Sequence, residues 1–351
     1  MAHGMTRQPD ERKQKMATIK PVLVQWILDT RTWWPEVTET RQLETHAARA
    51  LALLPAAERT SALKYYHVRD ARMAIASSLL KHFVIAKLAP SVPWHATTVT
   101  RDARTKPIYL DPSTGLSPVA FNITHQAGIV ALIGAAQGPS LPPIELGIDI
   151  VSPAERRARD HDLIQSEGWA RFVDMHADVF APQEASYLKY QVLSAVPGLV
   201  PSGAAPEAVV DAKLRAFYAL WALREAYVKM TGEALLAEWL RDLEFRRFRP
   251  PAPTPAWEVP AREEGGAGEG AGEDGGRGPV YGAQVVRNTE IRFRGKRVED
   301  VNLCLRAVGP DYMICTAVRT PGDPAVGLAW RLGPYEALSL EEVLAFAESS
   351  I

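Results

Sequence analysis

The sequence predicts an α+β protein made of two similar α+β halves. Short apolar strand patterns and groups of helical patterns follow one another in the order strand, helices, strands, and then helices and strands again. A chain of 351 residues with 47% apolar side chains can bury such a core. We expect the halves to meet near Asp149, with a flexible tail at residues 1–20, a first half at 21–145 and a second at 146–351. No internal sequence repeat supports this division.

The first half is predicted to place long helices between short strands. Its strands and helices follow from apolar alternation, helical periodicity and the turn residues between them. They are, in order, a strand at Pro21–Asp29, a helix at Leu43–Leu54, one or two helices at Glu58–Leu88, strands at Val99–Arg104 and Pro107–Leu110, and a hairpin of Phe121–Gln126 and Gly128–Ile133. Arg69 and Arg72 lie one turn apart in the long helical region, either as a solvated face or as a phosphate clamp.

The second half begins with a short apolar strand and returns to helices. Its predicted segments are a strand at Leu146–Val151, helices within Pro153–Tyr190, a loop at Ser194–Pro206, a helix ending near Gly232, a strand at Leu243–Phe245, two or three antiparallel strands within Val280–Arg319, and a capped helix at Ser339–Ser349. Residues 250–279 are rich in Pro, Gly, Ala and acidic side chains, which predicts a disordered insertion.

Glu225 is a carboxylate at a position of the helix ending at Gly232 where an apolar side chain would be expected. On a helical period it falls within an apolar stripe, whose members are Leu214, Phe217, Trp221 and Val228. A buried carboxylate requires a cation, strong donors or a raised pKa. Lys229 lies one turn further along, so the alternative interpretation is an ordinary surface Glu–Lys pair.

Asp149 is a second carboxylate at an apparently buried position, because it interrupts the apolar strand Leu146–Val151. It could instead be a polar residue near a strand end. His125 and Gln126 end the first strand of the predicted hairpin, where a histidine could also be a satisfied core residue.

Two carboxylates and a carboxamide are hard oxygen ligands, which suit Mg²⁺ and leave positions for phosphate oxygens. Groups suited to binding several phosphates lie in the same segments: Arg69, Arg101, Lys106 and His125. The residues alone therefore indicate Mg²⁺-assisted phosphoryl-type transfer from a polyphosphorylated substrate. The sequence contains no P-loop, dinucleotide fingerprint, His-Glu-x-x-His motif or nucleophile elbow.

Composition and charge limit the partners and the cellular compartment that the sequence predicts. The formal net charge of −1 gives no electrostatic reason to expect nucleic acid or an anionic membrane as a partner. Cys304 and Cys315 are too few for a disulfide framework and are expected to be buried thiols in a reducing compartment. The polar N-terminus argues against a signal peptide, and no apolar run could span a bilayer. We expect a cytoplasmic protein.

Three motifs, in this order, resemble the 4′-phosphopantetheinyl transferases of the large, monomeric surfactin type. They are Phe121-Asn-Ile-Thr-His125, Gly147-Ile-Asp-Ile150 and Trp221-Ala-Leu-Arg-Glu-Ala-Tyr-Val-Lys229. The resemblance covers about residues 22–245. It implies a monomeric pseudo-dimer of two α+β halves that binds coenzyme A in the cleft between them. The implied reaction moves phosphopantetheine to a serine of an apo acyl or peptidyl carrier protein and releases 3′,5′-ADP.

The resemblance also implies roles for individual residues. Asp149 and Glu225 would bind Mg²⁺ on the coenzyme A pyrophosphate, Glu225 would act as base for the serine or position it, and Lys229 would offset charge on the leaving phosphate. Contacts to the phosphates and nucleotide would come from residues in the matching segments: Arg69, Arg101, Lys106, Pro107, Thr124 and His125.

The chain departs from the family pattern at two positions, Val151 and Arg224. Val151 stands where many members carry a Glu that binds the metal, and Gln126 resembles the glutamine that helps to complete the metal shell in animal-type members. Arg224 replaces a usual Lys and is expected to have little consequence.

Because a metal-binding carboxylate is missing at Val151, a non-catalytic module that binds coenzyme A or a carrier protein remains an alternative function. The long inserts leave a scaffold protein as a third alternative. The carrier could belong to a fatty acid synthase, polyketide synthase, peptide synthetase or aminoadipate reductase.

Overall fold

The computed structural model describes residues 22–138, 143–233, 238–254 and 284–350. The predicted tail at residues 1–20 and most of the predicted insertion at 250–279 lie outside these ranges. The strands are β1 (Leu23–Asp29), β2 (Val99–Arg101), β3 (Pro107–Tyr109), β4 (Val119–Gln126), β5 (Ile129–Ala136), β6 (Glu145–Val151), β7 (Leu243–Arg246), β8 (Val285–Val286), β9 (Glu290–Phe293), β10 (Lys296–Val298), β11 (Val301–Val308), β12 (Tyr312–Arg319) and β13 (Glu336–Leu338).

Helices lie between these strands. They are α1 (Leu43–His46), α2 (Ala48–Ala52), α3 (Ala56–Leu63), α4 (Val68–Leu88), α5 (Pro153–Glu167), α6 (Trp169–Asp174), α7 (Pro182–Tyr190), α8 (Val192–Ala195), α9 (Pro206–Thr231), α10 (Pro324–Leu328) and α11 (Leu340–Ser349). Short 3₁₀ segments occur at Thr40–Gln42, Trp94–Ala96 and Glu238–Asp242. Among the described residues, no helix is both long and apolar enough to cross a membrane.

The α+β prediction is confirmed, and the strands form two four-stranded sheets with smaller sheets beside them. The first has the order β13-β1-β5-β4 and the second β6-β12-β11-β8. Alternate residues of β5 and β6 fill the space between the sheets, among them Ile129 and Ile133 from the first sheet and Ile148 from the second. The outer faces pack on α4 and α9, respectively. The layers are therefore helix, sheet, sheet, helix.

The chain's last strand and helix return to the first half, whereas the predicted division placed them in the second. β13 pairs in parallel with β1, and α11 packs on α4 through the edge-to-face contact of Phe346 with Phe83. The capping box of α11 is confirmed, because Ser339 Oγ accepts a hydrogen bond from Glu342 N. The core of the first half thus includes side chains from both ends of the described chain.

Several boundaries differ from prediction. The predicted helix at Leu43–Leu54 is two short helices with Ala47 between them, and five strands rather than two or three lie within 285–319. The loop predicted at Ser194–Pro206 begins inside α8 and ends at α9, which is 26 residues long. The end of α9 at Gly232 is confirmed, since that glycine has the left-handed φ of 78° that a helix C-cap favours.

Candidate functional site

An open cleft of about 390 Å³ lies between β4, β6, α5, α6 and α9. Its lining residues are Thr124, His125, Gln126, Asp149, Ile150, Val151, Arg156, Arg159, Asp160, Leu163, Phe172, Met175, His176, Phe217, Tyr218, Trp221 and Lys229. One wall is polar and comes from the predicted motifs. In the other, α6, the segment that follows it and the middle of α9 supply mostly apolar and aromatic side chains, while α5 supplies Arg156, Arg159 and Asp160 beside Leu163. Such a cleft suits a ligand with a charged end and a less polar arm.

The close approach of β6 to α9 builds the polar wall. Gly147 makes this approach possible, because a Cβ placed there would lie only 1.9 Å from the carbonyl oxygen of Ala226. Side chains alternate along a strand, so Asp149 projects from β6 on the same side as Gly147, towards the helix. Glu225 and Lys229 lie one turn apart on the helix beside that contact.

Asp149 and Lys229 form an ion pair across this contact. Lys229 Nζ lies 2.6 Å from Asp149 Oδ1 and 3.2 Å from Thr124 Oγ1, and the Thr124 hydroxyl donates to Asp149 Oδ1 over 3.3 Å. The Asp149 side chain is 8% exposed and that of Lys229 is 29% exposed. Burial raises the pKa of Asp149, and the positive charge of Lys229 opposes that rise.

Glu225 is electrostatically coupled to the same pair. Burial and then the negative charge of Asp149 raise its pKa to about 7, while Lys229 acts in the opposite direction. A carboxylate whose ionisation is opposed by burial and by a second carboxylate marks a place where a divalent cation would be stabilised. The polar helix position that the sequence singled out is therefore partly buried and electrostatically coupled to Asp149, but Glu225 itself is not among the described residues that line the cleft.

His125 lies at the exposed edge of the cleft, next to Thr124. Desolvation by the surrounding protein and then the positive charge of Lys229 lower its pKa. A neutral imidazole can donate from one ring nitrogen and accept at the other, so it can hydrogen-bond a phosphate or a nucleotide base.

Gln126 is held at both ends of its amide. Its Nε2 donates to Glu155 Oε2 over 2.9 Å, and its Oε1 accepts from the backbone N–H of Ser152 over 3.2 Å. Glu155 also pairs with Arg69, whose Nη1 lies 3.1 Å away. The sequence interpretation missed Glu155. The signal was the Ser152-Pro-Ala-Glu155 capping pattern directly after the apolar strand.

The hairpin of β2 and β3 lies at the opposite end of β6 from the cleft's polar wall. Lys106 Nζ donates to the Leu146 carbonyl over 2.8 Å, and burial lowers the pKa of Lys106 to about 8. Arg101 donates to the carbonyl of Thr105 over 2.6 Å and remains exposed. Arg101, Lys106 and the adjacent Pro107 are not among the described residues that line the cleft, so the structure does not bring them to the polar wall at Asp149.

Arg224 has a structural position that the sequence interpretation underestimated. It is fully buried, pairs with Glu184, and donates to the carbonyls of Leu240 and Leu243. Removing Arg224 would leave the Glu184 carboxylate buried without its cation, so a substitution of Arg224 should destabilise the protein. This differs from the expectation of little consequence.

The residues present fit Mg²⁺ that arrives with a phosphate ligand. In the described ranges, no group of three or more His, Cys, Asp or Glu side chains could hold a metal ion. Mg²⁺ commonly uses one or two protein carboxylates and takes its other ligands from water and substrate phosphates. Asp149 and Glu225 meet that requirement, and the Gln126 oxygen has a second lone pair available.

Comparisons with known proteins agree with the motifs. Residues 33–137 match a family model described as 4′-phosphopantetheinyl transferase, N-terminal, and residues 145–264 match the 4′-phosphopantetheinyl transferase superfamily. The chain is 41% identical to 4′-phosphopantetheinyl transferase 1 of Fusarium mangiferae, over 95% of this chain and 98% of the relative. It is 34% identical to 4′-phosphopantetheinyl transferase NpgA of Emericella nidulans, over 87% of this chain and 85% of the relative.

A more distant relative carries a more specific name. The L-aminoadipate-semialdehyde dehydrogenase-phosphopantetheinyl transferase of Schizosaccharomyces pombe is 27% identical over 62% of this chain and 71% of the relative. The matched region of this chain therefore spans most of its fungal relatives' length.

Proposed function

This chain belongs to the 4′-phosphopantetheinyl transferase superfamily, and from that premise we propose a Mg²⁺-dependent transfer from coenzyme A to a serine of an apo carrier protein. Transfer of phosphopantetheine to carrier proteins is the activity of the family. The proposal adds the metal, the residues that act and the second product, 3′,5′-ADP. One observation carries it: the Asp149–Lys229 ion pair lines the cleft where β6 meets α9, one helical turn from Glu225.

Asp149 and Glu225 are the residues that would hold Mg²⁺, with Gln126 supplying a neutral oxygen in place of the carboxylate missing at Val151. The ion would supply charge neutralisation on the coenzyme A pyrophosphate. Lys229 would place its ammonium group beside the leaving phosphate, where negative charge develops. These assignments account for an ionic cluster that would otherwise cost free energy in a partly buried position.

The bonds change as follows. The serine oxygen forms a bond to the phosphorus that carries phosphopantetheine, the bond from that phosphorus to 3′,5′-ADP breaks, and the serine proton passes to Glu225 as our candidate base. Positioning and electrostatic stabilisation supply most of the catalysis in such transfers. The two halves would therefore contribute by holding both substrates in line.

The nucleotide end of coenzyme A needs further cationic groups. We assign Arg69, Arg101, Lys106 and His125 to this task, with Pro107 shaping the turn. Arg101 and Lys106 lie on the hairpin beside β6 and outside the cleft lining, a place suited to the far end of an extended ligand rather than to the pyrophosphate.

The test is to incubate the protein with coenzyme A, Mg²⁺ and a panel of apo carriers, and to weigh each carrier. We expect a gain of one phosphopantetheinyl group. Asp149→Asn and Glu225→Gln should reduce the rate at least about 100-fold while the protein stays folded. Glu341→Gln, the same change at an exposed residue of α11, is the matched control. Unchanged masses across all carriers would contradict the proposed function.

The carrier partner is a separate proposal. The name of the fission-yeast relative supports including an aminoadipate reductase carrier beside fatty acid synthase, polyketide synthase and peptide synthetase carriers. We also propose that the protein acts as a monomer in the cytoplasm, which size-exclusion chromatography with light scattering and imaging of a tagged chain would check.

The non-catalytic binding module makes a different prediction about the metal. It rests on Val151 alone and requires coenzyme A affinity that Mg²⁺ barely changes. Titrating coenzyme A with and without Mg²⁺ separates the two, since a strong dependence on the metal excludes that alternative.

A further inference from the structure

Glu155 joins elements from both halves through one carboxylate. It lies near the start of α5, in the second half, and its side chain is 22% exposed. Oε1 is 3.1 Å from Arg69 Nη1 on α4, and Oε2 accepts from Gln126 Nε2 at the end of β4 over 2.9 Å. Both of these partners belong to the first half. Both are also residues assigned above to coenzyme A or to the cation.

The Ser152-Pro-Ala-Glu155 pattern normally forms a closed capping box, in which the first and last residues of the pattern hydrogen-bond each other. In a capping box the acidic residue accepts a hydrogen bond from the backbone N–H of the N-cap residue three positions earlier. A closed box of this kind occurs at α11, where Ser339 N donates to Glu342 Oε2 over 2.6 Å and Glu342 N donates to Ser339 Oγ over 3.1 Å. That box uses only local residues.

At α5 the same four-residue pattern is open. Ser152 N donates to Gln126 Oε1 rather than to Glu155, and the hydroxyl of Ser152 caps no helix N–H. The Gln126 amide is thus inserted between the N-cap N–H and the Glu155 carboxylate. Because Gln126 comes from another strand, this arrangement links β4 to the end of β6 and to α5.

The inserted amide can adopt only one orientation. An ionised carboxylate only accepts hydrogen bonds, so Glu155 must face the Nε2 end of Gln126. The Oε1 end then faces the Ser152 N–H, next to Val151, where the carboxylate ligand is missing. One lone pair of that oxygen is used by the N–H and the other remains available.

We propose that Glu155 is a positioning residue of the transferase, which fixes the side-chain amide of Gln126 so that its oxygen is presented at the cation site. The inference rests on the proposed function. Outer residues that orient a metal ligand typically contribute about 10- to 100-fold in metal affinity. Arg69 would share the same anchor, which sets its guanidinium at the boundary of the two halves.

The first test is Glu155→Ala. Without the carboxylate, the Gln126 amide can rotate, so the Mg²⁺ concentration for half-maximal transfer should rise about tenfold or more, with kcat at saturating Mg²⁺ changed less than about threefold. Glu155→Gln can still accept from Gln126 Nε2 and should remain within about threefold of the wild type. Glu342→Ala removes the acidic member of the closed box and serves as the control, with no change in the Mg²⁺ midpoint.

A double-mutant cycle shows whether Glu155 acts through Gln126. In a Gln126→Ala background, adding Glu155→Ala should raise the Mg²⁺ midpoint by less than about twofold. Multiplicative effects of the two changes would overturn the proposal. An unchanged midpoint in Glu155→Ala alone would overturn it as well.

A readout without turnover separates this inference from the proposed function. Hydrogen exchange at the Ser152 amide, measured on protein without coenzyme A or metal, should become faster in Glu155→Ala but not in Glu342→Ala, because the Gln126 oxygen leaves the N–H. Equal protection in all three proteins would overturn the positioning role even if transfer is observed. Faster exchange in Glu155→Ala combined with no transfer by the wild type would overturn the proposed function instead.

Discussion

Gly147→Ala is the smallest change that should separate the two sides of the proposed active site. An added Cβ would lie 1.9 Å from the carbonyl oxygen of Ala226 and 2.5 Å from the backbone nitrogen of Met230. Both are backbone atoms of α9 and cannot rotate away. Because Cβ contacts essentially never fall below 3.0 Å, β6 and α9 must separate by about 1 Å.

That displacement acts directly on the side chains proposed to be catalytic. Glu225 and Lys229 each precede one of the two obstructing residues, so they move with the helix backbone. The Lys229–Asp149 contact of 2.6 Å would lengthen or reorganise. A misplacement of about 1 Å can cost about 100-fold in rate, and overpacking typically costs about 1–3 kcal/mol of stability. We expect a folded, destabilised protein with about 100-fold lower kcat.

The assay compares Gly147→Ala with Gly134→Ala, each by carrier modification rate and urea unfolding. A Cβ at Gly134 would lie 2.6 Å from a methyl carbon of Val84, so this variant also overpacks a core, but in the first half and away from the cleft. It should lose stability and keep kcat within about threefold. Equal activities for the two variants would refute the reasoning that the β6–α9 approach sets the catalytic geometry.

Three further predictions concern charged residues other than Asp149, Glu225 and Lys229. Burial lowers the pKa of Lys106 to about 8, so the affinity for coenzyme A should fall above about pH 8 as the lysine loses its charge. In calorimetric titrations, Lys106→Arg should remove that fall. Parallel pH profiles of affinity for the wild type and the variant would contradict a contact between Lys106 and coenzyme A. Burial opposes ionisation of Glu58, but its ion pair with His82, whose Nε2 lies 3.3 Å from Glu58 Oε1, lowers its pKa to about 2. The same carboxyl in the unfolded chain titrates near 4.5, so the free energy of unfolding should fall by at most about 3 kcal/mol as the pH drops from about 4.5 to about 2. In urea unfolding, Glu58→Gln should lose less stability over this pH range than the wild type. Equal losses in the two proteins would contradict the pairing of Glu58 with His82. Arg224→Met should cost about 3–5 kcal/mol by leaving the Glu184 carboxylate buried and unpaired, and adding Glu184→Gln should recover part of this loss; no recovery would show that the arginine acts through packing alone.

The elements that carry the site could be predicted because their signals are local. The turn at Ala127 and Gly128 has positive φ at both residues; the glycine made a turn predictable at this point, and the turn fixes the β4–β5 hairpin. The apolar run around Asp149 identified β6, and helical periodicity identified the part of α9 that carries Glu225. In each case a polar residue at an apolar position was visible without knowing its partner.

Long-range pairing could not be predicted in the same way. β13 has only three residues, and its pairing with β1 depends on packing rather than on its own sequence. The amphipathic pattern of α11 indicated a helix but not which half it covers. Glu155 escaped notice because its capping pattern suggests a purely local role, and only the tertiary structure shows that Gln126 occupies the box.

The most direct test of the central claim is coenzyme A titration by calorimetry with and without Mg²⁺, on the wild type, Asp149→Asn and Glu225→Gln. If both carboxylates hold one ion on the pyrophosphate, Mg²⁺ should tighten binding to the wild type at least about tenfold and should have little effect on either variant. Equal tightening in all three proteins would show that the ion binds elsewhere and would contradict the proposed centre.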